Sequence, residues 1–464
     1  MRSEFRKLLT YIVFCVLAAA TAAAQETVSS SAESGASAPG PASEGASLLD
    51  EITHPVSWAT WGFDSRSRWE FSENAYTLQE GSDSEHSYLR LRNRIWTELT
   101  SVTNLTVSAR LMTEPRYYFK PDSKEGWGDQ EGLFDQAYIQ AKGLMSDTLA
   151  VKLGRQEISF GDKWIFFDGT SADGSRTEFF DAARLTLSSR NRKTTADLMG
   201  LFVNAESDLV LPVINDRNDP LSEQDERAGA VYVSNEFSPA IRLDGHYIYR
   251  HMEAQSGNGD SGNLHVPGVR VSGKMGSRWD YLAEAAGEFG EKNGADLTGW
   301  GLNSDLGYAL GGSWKHRVHV GYEFLSGDDP DTARDEGWDP MWGRRARWSE
   351  LMVLTFGLEA DAKRGYFSNL QRPNIGWSAS PVKRIELTVH YMPMFANSNP
   401  QAGNPVFSED GRFRGHLLQT IARFTLSKHV TGLIWNEVFK PGDFYSPSNR
   451  ATADFLRVEI NLSF

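Results

Sequence analysis

From residue 58 onward the chain alternates, and one of the two alternating faces is charged. No other feature limits its fold so strongly. Trp61, Phe63, Ser65, Ser67, Trp69 and Phe71 share one parity, while Gly62, Asp64, Arg66, Arg68 and Glu70 share the other. Leu89, Leu91, Asn93, Ile95, Thr97 and Leu99 oppose Arg90, Arg92, Arg94, Trp96 and Glu98. Ile241, Leu243, Tyr247 and Tyr249 oppose Arg242, Asp244, His246 and Arg250. Val318, Val320 and Phe324 oppose Arg317, His319 and Glu323, and Ile385, Leu387, Val389 and Tyr391 oppose Arg384, Glu386, Thr388 and His390. A period of two is that of an extended strand. A sheet that covers a soluble core has no need for charge at almost every polar position. A barrel in lipid does, because its inner face is wet and its outer face is bathed in hydrocarbon.

The connections support the same reading. The pattern predicts an all-β chain of about eighteen antiparallel strands, each long enough to cross a bilayer at a tilt. The first lies near 58–71 and the last near 451–464. Turns after even-numbered strands are short, as at Val102-Thr103, Ser238-Pro239-Ala240, Gly276-Ser277-Arg278 and Pro381-Val382-Lys383. Those after odd-numbered strands are longer, from about seven to about forty residues, with a short helix or extra hairpin conceivable in 341–365. An even count leaves both termini on the short-turn, periplasmic side. The chain closes on Leu456, Val458, Ile460, Leu462 and Phe464 with polar residues between, like the terminal strand read by barrel-assembly machinery. Fourteen Trp and 12% aromatic residues suit the girdles at the two membrane interfaces.

Arg2, Arg6 and Lys7 precede an apolar run, Leu8 to Ala20, and a small-residue site, Thr21-Ala22-Ala23-Ala24. Residues 1–24 therefore read as a secretory signal peptide, 25–56 as a disordered periplasmic leader rich in Ser, Ala, Gly and Pro, and 57–464 as an integral outer-membrane barrel. The single cysteine, Cys15, falls in the signal, so the mature chain is expected to lack disulfides and thiolate chemistry. A net charge of −14 argues against nucleic acid as a partner.

If the parities hold, the lumen carries Arg66, Arg68, Arg90, Arg92, Arg94, Arg184, Arg242, Arg384, Arg423 and Arg457, with Asp64, Glu70, Glu98, Asp244, Glu284, Glu323 and Glu459 on the same face. Guanidinium grips planar carboxylates with two parallel hydrogen bonds, and rings of arginine select anions. The plainer reading is that these charges neutralise one another in the wall. The outer loops are acidic, densest at 328–331 and 335–339, which suits lipopolysaccharide bridged by divalent cations. No metalloprotease, nucleophile-elbow or Walker motif occurs, and no cofactor is implied. The G-x-G-x-x-G at 257–262 reads as a flexible turn. A hydrolase would need a Ser–His pair on the lipid face, yet His246, His319 and His390 share the luminal parity. A general diffusion porin, or a barrel plugged by loop 326–365, remains open.

Two passages resemble the alginate-export porins. One is Gly154-Arg155-Gln156 followed by Phe180-Asp181-Ala182-Ala183-Arg184-Leu185; the other is Ser326-Gly327-Asp328-Asp329 followed by Asp339-Pro340-Met341-Trp342. The resemblance spans 57–464. It implies a monomeric eighteen-stranded barrel whose arginine-rich constriction passes an anionic polyuronate, and it nominates Arg155, Asp181 and Arg184 as pathway residues. Strict parity points Arg155 outward with Leu153, so a kink or bulge at Gly154 is required. The segment from Lys163 to Thr177, with Trp164, Phe166 and Phe167, departs from the family pattern.

Overall fold

The computed structural model describes residues 53–464 apart from 82–83, 101–103, 129–130, 168–178, 207–210, 219, 345–347, 361 and 402. The signal segment, Cys15, most of the leader and the Val102-Thr103 turn lie outside the described residues.

The strands are β1 (Ala59–Glu73), β2 (Glu85–Thr100), β3 (Leu105–Thr113, continued as Arg116–Lys120), β4 (Gly126–Gly128, continued as Gly132–Gly143), β5 (Leu149–Gln156), β6 (Phe180–Ser188), β7 (Thr194–Val203), β8 (Gln224–Ser238) and β9 (Ile241–Ala254). They continue with β10 (Gly262–Met275), β11 (Trp279–Lys292), β12 (Ala295–Gly311), β13 (His316–Leu325), β14 (Leu370–Val382), β15 (Ile385–Phe395), β16 (Phe413–Thr425), β17 (Val430–Pro441) and β18 (Ala453–Ser463). With each interrupted strand counted once there are eighteen, all antiparallel, and β18 pairs back onto β1 from Asp64↔Ser463 to Glu73↔Asp454. The terminal Phe464 completes this seam by exchanging backbone hydrogen bonds with Phe63 at 2.9 and 3.1 Å. Closure leaves no sheet edge, so every strand satisfies its backbone groups on both sides, as a hydrocarbon environment demands. Among the described residues no helix is long and apolar enough to cross a membrane.

Parity is kept around the wall. Leu153, Val320 and Ile375 are each more than half exposed, whereas Arg66, Arg68, Asp244 and Glu323 are at most 2% exposed. Trp61, Trp279 and Trp314 mark the short-turn end of the outer face; Phe289, Trp300 and Phe324 mark the other, with Trp300 and Phe324 stacked at 4.1 Å. One connection differs from expectation. β11 and β12, predicted to be joined by a loop of about seven residues, meet in a two-residue turn at Asn293-Gly294. Both residues have positive φ, 53° and 82°, the geometry that Asn-Gly favours in tight hairpins.

The long connection from β13 to β14 does not project outward. It carries helix α1 (Glu350–Thr355), capped by Ser349, whose Oγ accepts from the Met352 N–H. Trp338, Met341, Trp342, Leu351, Met352, Phe356 and Phe367 form one buried cluster with the wall residues Ile248, Leu264, Val266, Leu297, Leu417 and Phe439. The barrel's core is therefore its own loop, packed inside the lumen.

Candidate functional site

Charge on the inner face is densest where β18, β1, β2 and β3 adjoin. The register sets Arg66 opposite Arg92 and Arg68 opposite Arg90, and like charges so placed repel. Carboxylates offset this. Glu70 accepts from Arg457 at 2.7 Å and Arg90 at 3.3 Å. Glu114 lies 2.9 Å from Arg66 and 3.2 Å from Arg90. Glu459 lies 2.6 Å from Arg68, and Asp64 lies 2.9 Å from Arg94 and 3.6 Å from Arg92. The alternation thus brings Arg66, Arg68, Arg90, Arg92 and Arg94 together against acids of the same wall, the first four buried and Arg94 half-buried. Glu114 was not among the acids read from the sequence. It sits in the break between the two halves of β3, beside Pro115, where alternation lapses. The Glu-Pro pair inside a strand run was the available signal.

The other nominated residues are distributed. Arg184 pairs with Asp197 at 2.8 Å, and Arg242 with Asp244 at 2.9 Å, the latter also reached by Arg270 at 3.1 Å. Arg155 and Asp181 face each other in the β5–β6 register and bond twice, at 2.9 and 3.0 Å. Gly154 is kinked as expected: its φ is +118°, and a Cβ there would lie 2.3 Å from the Ala137 carbonyl. The pair nevertheless differs from the luminal placement expected for it. Asp181 stands opposite the exposed Phe202 in the register, and directly opposed residues share a face. The Arg155 guanidinium is stacked 3.8 Å from the Phe179 ring and donates to the Phe134 carbonyl, within the wall. Arg384 falls in the turn before β15 rather than on the strand. Among the described residues neither Arg384 nor Arg423 forms an ion pair within 4.0 Å.

The inward loop is held by paired charges. Asp339 lies 2.8 Å from Arg250 and 3.1 Å from Lys292, and accepts from Tyr366 and from the Met341 N–H. Burial alone would push its carboxyl up, but Arg250 and Lys292 hold it well below the usual carboxylate range. The Tyr366 phenol is pushed up by burial and by Asp339. Arg344 grips Glu223 with two hydrogen bonds, at 2.7 and 2.9 Å, and the Trp342 indole donates to Glu226 at 2.6 Å. Ser349 and the Leu351 N–H both donate to Glu437, while Glu350 meets Arg457 at 2.7 Å. A second segment enters beside it. Trp164 is stacked on Trp338 at 5.1 Å and donates to Glu323 at 3.0 Å; Glu323 also accepts from Arg372. Gly301 leaves room for this stack, since a Cβ there would lie 2.8 Å from the Trp164 ring. Trp164 and Phe166, two of the residues unlike the family pattern, thus join the lumen-filling cluster, and Phe167 is buried beside them in sequence; 168–178 lie outside the described residues.

Between the docked loop and the short-turn end a cavity of about 360 Å³ remains. Its lining includes Asn303, Asp305, Arg317, His319, Trp348, Arg372, Asn374, His390 and Arg423. A larger apolar groove, about 560 Å³, runs over the outer face past Leu153, Leu198 and Tyr249, where lipid chains belong.

A model of the alginate export family matches residues 57–459. No curated protein matches the sequence significantly. Solved barrels of Pseudomonas aeruginosa share the fold. OpdQ has a TM-score of 0.57 at 13% identity, covering 88% of this chain and 97% of its own. OccK9 (OpdG) has 0.58 at 11%, covering 88% and 98%. OccK2 (OpdF), solved in complex with glucuronate, has 0.56 at 11%, again covering 88% and 98%.

Proposed function

The chain belongs to the alginate-export family, and on that footing we propose that it is an outer-membrane channel through which an acidic oligo- or polysaccharide diffuses or is exported. The observation that carries this reading is the inner face of the closed barrel, where arginines from β18, β1 and β2 stand in adjacent rows. Such rows offer successive carboxylates successive guanidinium partners, each exchangeable for a wall carboxylate already in place. Glucuronate in the crystal structure of OccK2 is a precedent for sugar acids in this fold. The short-turn end and both termini face the periplasm in this proposal, the acidic loops meet lipopolysaccharide, and the barrel works as a monomer.

A second reading is favoured by one observation. The inward loop fills much of the lumen, as a plugged structural barrel would require. Proteoliposomes loaded with uronate oligomers and with neutral oligomers of equal length separate the readings. Faster efflux of the uronates supports the proposal. Equal efflux would make the protein a general porin, and no efflux of either would make it a plug.

A further inference from the structure

We propose that the apolar groove on the outer wall, across β5 to β9, seats an acyl chain of a phosphorylated glycolipid, the lipid A part of lipopolysaccharide, with a phosphate at Arg227 and His251. The choice of leaflet rests on the proposed orientation of the barrel; the groove and its charged rim do not.

The groove, about 560 Å³, exists because its floor lacks side chains. Leu153, Ala183, Gly200, Gly229 and Tyr249 oppose one another in turn across five strands. Leu153 and Tyr249 are exposed at its two sides, and Leu185, Leu198 and Val231 line the next row. Between them Gly200 and Gly229 leave bare backbone where a strand in lipid ordinarily carries an apolar side chain. Glycine inside a strand weakens it, and it marks a positive φ, a bulge or a close approach by another group. The first two do not apply. Neither glycine has a positive φ, and the registers of β7 with β6 and with β8 run unbroken through both. A Cβ at either position would meet no atom of the chain within 4 Å, so the group that approaches comes from outside it.

The rim of the groove narrows the kind of lipid. The outward residues of β8 run Arg227, Gly229, Val231 and Val233, and those of β9 run His251, Tyr249 and Tyr247. Arg227 and His251 are therefore the charged groups met first above the groove at the long-loop end, and they are directly opposed in the register. Arg227 is exposed and forms no ion pair within 4.0 Å among the described residues. His251 uses Nδ1 toward the Asn263 Oδ1 at 2.9 Å, which leaves Nε2 for a ligand. The acids of this face are engaged or lie further out. Asp181 is held by Arg155 at 2.9 Å. Asp225 accepts from the Ala205 N–H at 2.8 Å and from Gln255 at 3.1 Å, and Glu253 stands opposite it one row beyond Arg227. A guanidinium and an imidazole above an apolar trough match a phosphate above a hydrocarbon chain.

Native mass spectrometry of the refolded full chain in detergent tests this, with lipid A, dephosphorylated lipid A and phosphatidylglycerol as probes. Lipid A should be retained, its dephosphorylated form about tenfold more weakly, and phosphatidylglycerol, whose phosphodiester carries less charge, several-fold more weakly. Arg227→Gln should cut lipid A retention about tenfold. Gly229→Leu fills the trough and should do the same, while the barrel stays at least as heat-stable because a strand glycine is replaced. Val320→Leu, on the exposed face of β13, should change nothing. Heat-modifiable migration on gels shows that each variant is folded. Equal retention of lipid A and its dephosphorylated form, equal retention of phosphatidylglycerol, or undiminished retention by folded Gly229→Leu would overturn the site. Orientation is read separately: an impermeant thiol reagent should label Ser256→Cys, beyond the long-loop end of β9, on intact cells. Without labelling the orientation has failed, and lipid A with it as the natural occupant. With labelling but no retention of lipid A, the site alone has failed.

Discussion

Asp339 is the residue on which loop docking turns, because it meets Arg250, Lys292 and Tyr366 from three parts of the wall and loop at once. Removing one partner of a buried ion pair costs about 3–5 kcal/mol, since the other charge stays buried. Asp339→Asn is therefore expected to free the loop and to raise single-channel conductance or its open-state fluctuations. The wild-type contact should be indifferent to mild acid. A carboxyl held below its unfolded value contributes stability that is complete above about pH 4 and is lost only as pH falls through the folded value. Arg250 and Lys292 stay charged over that range, so recordings at pH 7 and pH 5 should show the same loop-dependent conductance. A sharp rise at pH 5 would place the latch elsewhere. Glu70 has an analogous role at the seam, where it takes Arg457 from β18 and Arg90 from β2. Glu70→Gln should lower the temperature at which the folded gel band converts to the unfolded one, whereas Glu386→Gln, on β15 and without an ion pair among the described residues, should not.

At the scale of elements, the loop between β13 and β14 can be separated from the barrel that holds it. Leu325 and Leu370 are already opposed in the register. Replacing 326–369 with Asn-Gly would close the hairpin as a tight turn. The barrel should remain heat-modifiable and its conductance should rise several-fold; an unchanged conductance would mean that the loop does not restrict the pore. The elements differ in how plainly the sequence announces them. The strands, their parity and the even count could be read directly, because side chains in lipid and in a wet lumen obey opposite rules at every second residue. The helix within 341–365 and the kink at Gly154 were anticipated from a lapse in pattern and from a glycine before Arg155. What could not be read was which luminal arginines remain open. Arg66 and Arg423 look alike in sequence, and only the folded neighbours show that Arg66 is buried against Glu114 whereas Arg423 stays exposed, opposite Glu386 in the register. The inward course of the loop had a signal that its acidic stretches masked. Trp338, Trp342, Trp348 and Phe356 are poor residues to leave in solvent, and Asn293-Gly294 likewise marked a hairpin that was read as a loop.

At the scale of the whole molecule, a closed barrel supplies the frame and the folded-in loop fills much of its lumen. Mutual neutralisation of the inner charges lets so many arginines share one face without forcing the wall apart. The central claim is that an acidic saccharide enters this lumen and competes there. It is tested most directly by single-channel current through the refolded protein in a planar bilayer, titrated with uronate oligomers and, separately, with neutral oligomers of equal length. The account predicts step-like block by the uronates at concentrations where the neutral sugars leave the current unchanged. Current of normal size that both sugars block equally, or that neither blocks, would contradict it.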